Sequence, residues 1–433
     1  MASDPKLGAK RAAPKVSVIM ATYNYSAVLR YAIATVLWQT FRDLELIVIG
    51  DACTDDSEEV VRSFGDERIQ WFNLAENSGA KYLPQNAGIR MARSDYIAYL
   101  AHDDLWHPLH LEMLVNALER EQADVAYSVT VYVPPPGESQ RHVSGIFPEP
   151  VISPGYCLIH SSTIHRKTLI AEVGEWDDHR KTQLPPDHIF WSRIAEAGKR
   201  FAFVPRVTVW KFNSSSRPNS YREKRSDEQA RYFRLIRDDP ALGEKELIDV
   251  ARSAMRYGLK PQRMRKVSRD VPPGTYVHFL RQVRGLEPAE SMQPLSFTAD
   301  DAPFRVHFAE PVPRRLETGQ EIEVEVRIQN DSAFRLSSAP PHPVHFSYHW
   351  LNADNSQALF DGLRSLLIPP LPPQSSLHYF VTIAAPRVPG TYRIQPVLVQ
   401  EEVQWFDQLP QEELPVVEVT PEKLPMAGMP PER

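Results

Sequence analysis

Two cysteines, Cys53 and Cys157, are all that the 433 residues contain. So small a supply excludes a disulfide scaffold and a cysteine-built zinc cluster, and it suits a reducing compartment. Also missing is any apolar run near the ~18 residues that a membrane-crossing helix needs. The first apolar stretch, "VSVIMATY", is too short and turns polar too soon for a secretory signal. Positive charge is not in excess either: the formal net charge is -6, which excludes a general nucleic-acid binder with a strongly basic surface. No internal repeat is evident. These absences place the protein in the cytoplasm as an expectation. The basic "MASDPKLGAKRAAPK" leaves peripheral docking at the inner face of a membrane as the alternative.

What is present is ordinary globular composition, 42% apolar and 24% charged, in a chain longer than one domain usually needs. Two textures divide it. Up to about residue 217, short β-rich runs alternate with helical patterns. "VSVIMATY" (16–23), "LELIVIGD" (44–51), "IQWFNLA" (69–75) and "DYIAYLA" (95–101) read as strands. Between them "SAVLRYAIATVLWQT" (26–40), "SEEVVRSFG" (57–65) and "LPQNAGIRMAR" (83–93) carry helical spacing. Strand–helix–strand units of this length predict a mostly parallel sheet covered on both faces, with ligands at the carboxyl ends of its strands. Residues 218–290 read as a charged helical connector. From 291 to 420 the texture changes: "EIEVEVRI", "VHFSYHW" and "LHYFVTI" alternate with period two between proline-rich turns, as in an antiparallel β-sandwich of immunoglobulin type. Residues 1–14 and 421–433 read as a disordered leader and tail.

Polar residues follow the ends of the predicted parallel strands: Thr22, Tyr23 and Asn24; Asp51; Asn77, Ser78 and Gly79; and Asp103 with Asp104. Adjacent aspartates recur elsewhere, at Asp55–Asp56 and Asp177–Asp178 among others, so the pair alone says little. Four clusters converging on one sheet edge say more.

The succession "VSVIMATYNY … LELIVIGDACTDDS … ENSGAKYLPQNAGIRMARSDYIAYLAHDDLWHP" resembles the family 2 glycosyltransferases over roughly residues 15–215. That resemblance implies an α/β nucleotide-sugar-binding domain of the GT-A fold. It also implies a nucleotide diphosphate-sugar donor, a UDP-sugar in the first instance, and a glycan or other hydroxyl acceptor. Thr22, Tyr23, Asn24 and Asp51 would then meet the nucleoside. Asn77 and Gly79 would form the loop passing close to it, and Lys81 would be either a phosphate contact or a solvated surface lysine. Two carboxylates and two phosphates in one pocket call for a cation, because unit charges about 4 Å apart interact by roughly 4 kcal/mol at an effective dielectric near 20. On this alignment Asp104 is the ligand of Mn²⁺ or Mg²⁺ and Asp103 lies near the ribose. The acidic residue common just before them is absent, Ala101 and His102 standing there. The alternative reading of the aspartate pair is the start of the helix in "LWHPLHLEMLVNALE".

An acceptor hydroxyl must lose a proton, and a positioned carboxylate can take it. In "PPDHIFWSRIAEAG" (185–198) the resemblance puts Asp187 at the place of that base, although an N-cap role fits it too. His188 beside it, with Trp176 and Asp177 of "GEWDDH", falls on the acceptor side; Trp176 reads as either a sugar platform or core. A Q-x-x-R-W pattern and membrane helices, the marks of processive members, are missing, which implies transfer of one or a few sugars. The competing class, a sugar-1-phosphate nucleotidyltransferase, needs a glycine- and lysine-rich loop after the first strand, and "MATYNYSAVL" supplies none. A non-enzymatic alternative, a catalytically impaired carbohydrate-binding or assembly factor, is motivated by Ala101 and His102.

Overall fold

β1 (Val16–Thr22) and β2 (Leu44–Gly50) are buried almost end to end, the pattern of strands covered on both faces. The computed structural model describes residues 13–137, 142–147, 158–257, 271–288, 292–297, 303–407 and 413–421. Cys157, most of the expected leader and the expected tail beyond residue 421 lie outside the described residues. In order, the N-terminal unit continues with α1 (Ser26–Leu37), α2 (Ser57–Arg62), β3 (Ile69–Asn73), α3 (Tyr82–Met91), β4 (Tyr96–Tyr99), β5 (Leu105–Trp106) and α4 (His110–Arg120). Then come β6 (Val125–Tyr132), β7 (His142–Ser144), β8 (Thr163–Arg166), α5 (Leu169–Val173), α6 (Pro186–Glu196) and β9 (Phe201–Lys211).

The strands line up as β3-β2-β1-β4-β8-β6-β9-β5, with β7 beside β6. The first four are parallel, as the alternating texture predicts. The remainder corrects that expectation: β8 runs antiparallel to both β4 and β6, and β5 antiparallel to β9, so the sheet is mixed. α1 turns Leu29, Ala32, Ile33 and Val36 inward at helical spacing, into one core with Val16, Val18 and Met20 of β1. Burial of such a stripe supplies the stability, at roughly 1.5–3 kcal/mol per large apolar side chain.

The charged stretch after residue 217 is not a single connector. Contacts divide the chain into a unit reaching residue 265 together with 284–286, and a second formed by 266–283 and 287 onward. α7 (Ser220–Glu223), α8 (Asp227–Asp238) and α9 (Leu242–Tyr257) belong to the first unit, where Tyr232, Ile236, Leu242 and Val250 join Trp210 and Phe212 in one core. α10 (Thr275–Val283) belongs to the second.

In that second unit, β10 (Phe304–Phe308), β12 (Glu321–Asn330) and β16 (Ser375–Ala384) form one antiparallel sheet. The other contains β11 (Arg315–Glu317), β13 (Val344–Leu351), β14 (Gln357–Leu359), β15 (Ser365–Leu366), β17 (Gly390–Gln400), β18 (Gln404–Phe406) and β19 (Val416–Thr420). Val324, Val326 and Ile328 alternate inward from β12 and meet Phe346, Trp350, Ile394 and Val417 of the facing sheet. Tyr348 and Trp350 are core, whereas Trp405 is half-buried.

Candidate active site

The parallel strands end in the residues that the sequence singles out. Gly50 closes β2 where the Asn73 side chain and the Trp71 ring crowd in, leaving no room for a Cβ. Asn73 in turn holds the following turn, accepting from Cys53 N–H (2.8 Å) and donating to its carbonyl (2.9 Å). Asp51 is buried beside Thr22, whose carbonyl accepts its N–H at 2.8 Å. The Asp51 carboxylate gathers Ser78 N–H at 2.8 Å and the Asn77 amide at 3.1 Å. Gly79 follows with φ +89°, in the left-handed region that favours glycine, so the loop turns back over Asp51. Asn24 plays a local part: its Oδ1 accepts from Thr54 and Asp55 N–H groups and pins the turn after Asp51. Tyr23 stands half-buried at the strand end and makes no hydrogen bond or ring contact among the described residues.

The two central aspartates are unlike each other. Asp104, fully buried, spends both oxygens on protein donors: Oδ2 accepts from Ser161 Oγ (2.6 Å) and faces Lys211 Nζ (3.5 Å), and Oδ1 accepts from Phe212 N–H (3.2 Å). Burial pushes its carboxyl up; Lys211, Ser161 and the Phe212 N–H oppose that push. Burial works against the Lys211 charge too, but Asp104 and Asp103 hold its pKa above the ordinary value. The Asp103 carboxylate makes no hydrogen bond or ion pair among the described residues, and neither oxygen is sealed from solvent. This geometry departs from the expectation that Asp104 holds the metal, since an oxygen already committed to an ammonium is a poor donor to a cation. It fits Asp103 instead. No group of three His, Cys, Asp or Glu side chains among the described residues could enclose an ion. Mn²⁺ or Mg²⁺ on Asp103 would therefore draw its other oxygens from a diphosphate and water, as hard cations do.

His102, standing where an acid is expected, is buried and bonded through Nδ1 to Thr22 Oγ1 (3.0 Å) and through Nε2 to Tyr221 OH (3.1 Å). Burial lowers its pKa, so it serves as a neutral bridge between β1 and α7. Nor does the aspartate pair start a helix: β5 intervenes, pairing Leu105 with Trp210, and α4 begins only at His110.

The segment His160–Ser161–Ser162 makes a contribution that local sequence pattern does not disclose. Because β8 runs antiparallel to β4, with Ala98 opposite Ile164, the residues leading into β8 lie beside those leaving β4. Ser161 accepts the Ala101 N–H at 3.1 Å and donates its own O–H to Asp104. His160, 3% exposed, meets Lys81 Nζ at 3.0 Å through Nδ1. Lys81 also lies 3.5 Å from Asp187 Oδ2. Asp187, Lys81 and His160 are thus in contact in turn, and the residue after His160, Ser161, bonds Asp104.

Asp187 sits inside the first turn of α6, after Pro186, rather than at the cap, which is Pro185. Burial would raise its pKa, but Lys81 and His188 outweigh burial and leave it below the usual carboxylate value. The helix N-terminus adds to that pull. His188 is buried and donates its N–H to Asp187 Oδ1 at 3.2 Å.

The acceptor-side expectation for Trp176 is corrected. Its ring, 2% exposed, stacks on Phe190 at 4.1 Å and meets Trp191 and Tyr99 edge-on, while its backbone is clamped by the Asn86 amide. It is core and presents no face to a sugar. Asp177 beside it pairs with Arg193 at 3.0 Å.

In this α/β domain Asp51, Asp103 and Asp104 thus follow the ends of parallel strands, and Lys81 with the His160–Ser161 segment connects Asp187 to Asp104. Residues 17–172, within the N-terminal unit, match the family described as glycosyl transferase family 2. The chain is similar to Protein CgeD of Bacillus subtilis, 30% identical over 195 residues that cover 42% of this chain and 46% of CgeD. It is similar also to the poly(ribitol-phosphate) β-N-acetylglucosaminyltransferase TarP of Staphylococcus aureus, 36% identical over 26% of this chain and 35% of that one. A third relative is the UDP-Glc:α-D-GlcNAc-diphosphoundecaprenol β-1,3-glucosyltransferase WfaP of Escherichia coli, 29% identical over 34% of this chain and 59% of WfaP. In each case the match spans less than two thirds of the relative's own length.

Proposed function

We propose that this protein transfers a sugar from a nucleotide diphosphate-sugar to a hydroxyl of a glycan or other acceptor, with inversion at the anomeric carbon. The reading rests on one observation: Asp187 meets Lys81, Lys81 meets His160, and Ser161, the residue after His160, bonds Asp104 at the acidic turn. Tyr23 and Asp51, with the Asn77–Gly79 loop, receive the nucleoside. The donor names of WfaP and the sugar transferred by TarP support a UDP-sugar as the first donor to test. A divalent cation on Asp103, when bound, supplies Lewis-acid neutralisation of the diphosphate. Asp187 takes the acceptor's hydroxyl proton as the new C–O bond forms at the anomeric carbon. The bond from that carbon to the phosphate oxygen breaks, and the electron pair leaves with the nucleoside diphosphate.

The chain has no described helix long and apolar enough to cross a membrane. Polysaccharide assembly with an acceptor presented at a membrane surface is compatible with that, and the β-sandwich is then an accessory unit for acceptor or partner.

The test is release of nucleoside diphosphate from UDP-glucose, UDP-N-acetylglucosamine and GDP-mannose, with and without Mn²⁺, by the wild type and Asp187→Asn. Release that disappears in the variant supports the reading. Tight nucleotide binding with no release from any donor supports the impaired, binding-only alternative, for which His102 in the acidic motif is the motivating feature.

A further inference from the structure

Lys81 is the N-cap of α3, the helix that follows the Asn77–Gly79 loop, and its ammonium meets two groups of the site. One is His160 Nδ1 at 3.0 Å, the other Asp187 Oδ2 at 3.5 Å. An ammonium only donates, so His160 Nδ1 is the acceptor, the ring is neutral, and its proton resides on Nε2. Burial and the nearby Lys81 and Lys211 charges push the His160 pKa well below the ordinary value, in agreement with that tautomer. Nε2 is itself buried without a hydrogen-bond partner. Leaving such a donor unpaired costs about 1–3 kcal/mol, a cost the fold accepts while keeping the imidazole behind Lys81.

We propose that Lys81 is a positioning residue for the base: backed by His160, its ammonium fixes the Asp187 carboxylate in its ionised form and in one orientation. This rests on the reading of Asp187 as the general base. The groups that face Asp187 are Lys81 from α3, with His160 behind it, and His188 with its backbone N–H on α6 itself. Of these only Lys81 carries a fixed charge at neutral pH. One carboxylate oxygen is held by the His188 N–H and the other by Lys81, so the plane of the carboxylate is set from both sides. A base that must accept a proton gains from a partner that donates without taking a proton up. The ordinary lysine pKa lies far above any working pH, which suits Lys81 to that part.

The experiment compares wild type, Lys81→Met and Lys81→Arg, with UDP-glucose and UDP-N-acetylglucosamine as probes and water as acceptor. The acid limb of UDP release is followed against pH. Independently, the Asp187 carboxyl is titrated by infrared difference spectroscopy, taken as each protein minus its Asp187→Asn counterpart. Expected is an acid limb and a carboxyl titration displaced upward in Lys81→Met by about one pH unit, a tenfold loss of release on the acid side, with Lys81→Arg restoring both. Should Lys81→Met not fold, Lys81→Gln carries the same comparison. An unshifted Asp187 titration, with only the KM for the sugar nucleotide raised, overturns the proposal and makes Lys81 a phosphate contact. Undiminished UDP release by Asp187→Asn instead overturns the base assignment, while the infrared shift still reports whether Lys81 tunes that carboxylate.

Discussion

Ser161 donates to Asp104 Oδ2 at 2.6 Å while its own oxygen accepts the Ala101 N–H at 3.1 Å. One hydroxyl thereby fastens the start of β8 to the acidic turn that ends β4. Both partners are buried, so no water replaces the bond when it is removed. Ser161→Ala is expected to cost about 1–3 kcal/mol of unfolding free energy, the range for leaving a buried polar group unpaired. Urea denaturation of wild type and variant measures it; an unchanged midpoint would mean that the turn is held by other contacts. Lys211→Met is expected to cost more, about 3–5 kcal/mol, since it leaves a buried carboxylate without its cation.

On the proposed reading, the unequal surroundings of Asp103 and Asp104 separate cation binding from folding. Asp103→Asn removes the carboxylate that is not bonded to protein donors and is expected to abolish the Mn²⁺-dependent part of UDP binding while leaving thermal stability near wild type. Asp104→Asn disturbs Lys211 and Ser161, and its main effect is expected in the melting temperature. Calorimetric titration of UDP with and without Mn²⁺ checks the first, and thermal scanning the second. The reverse pattern would return the metal to Asp104.

The parallel half of the sheet and the site residues at its strand ends were readable because they follow from local patterns. An apolar run that stops at Thr22, Asp51 or Asp103 marks a strand end wherever the strand is placed. The sandwich strands were equally plain, since Val324, Val326 and Ile328 alternate without interruption. What local pattern does not carry is the antiparallel insertion of β8 and the pairing of β5 with β9. Those two long-range choices bring Ser161, His160 and Lys211 to the acidic turn. Without them nothing in the local pattern shows that Asp104 is bonded to Ser161, Lys211 and Phe212 while Asp103 is not. Trp176 illustrates the same limit, because a tryptophan reads alike whether its ring faces a sugar or, as here, Phe190.

Glu45, near the start of β2 and 2% exposed, accepts from Ser17 Oγ at 2.6 Å, Arg93 N–H at 3.0 Å and the Arg93 guanidinium at 2.7 Å. Burial tends to raise its pKa, yet Ser17 and Arg93 together leave it below the ordinary 4.5. A carboxylate depressed in the fold stabilises above its unfolded pKa and loses that contribution as pH falls through the folded value. Glu45→Gln is therefore expected to cost roughly 1–3 kcal/mol at neutral pH, with the difference from wild type shrinking below about pH 4.5. Chemical denaturation at neutral and acidic pH measures both; a constant difference would mean that the Glu45 charge contributes nothing.

Four of the buried histidines of the N-terminal unit, His102, His110, His160 and His165, are expected to limit its stability in acid. His165 donates from Nδ1 to the Arg166 carbonyl at 2.8 Å, so its Nε2 accepts from Tyr99 OH at 2.9 Å. Burial brings its pKa from 6.5 down to about 4, and burial lowers His102, His110 and His160 as well. An unfolded chain takes up these protons near pH 6.5 while the fold refuses them, so stability falls as pH drops below that value. For His165 alone the loss is about 3 kcal/mol by the time its folded pKa is reached, at 1.36 kcal/mol per unit. The melting temperature is expected to decline steadily from pH 6.5 toward 4, and His165→Gln to flatten that decline by one proton's share. Because glutamine can accept from Tyr99 without titrating, the comparison isolates the proton from the hydrogen bond. Parallel profiles in the two proteins would show that the fold does not hold His165 neutral.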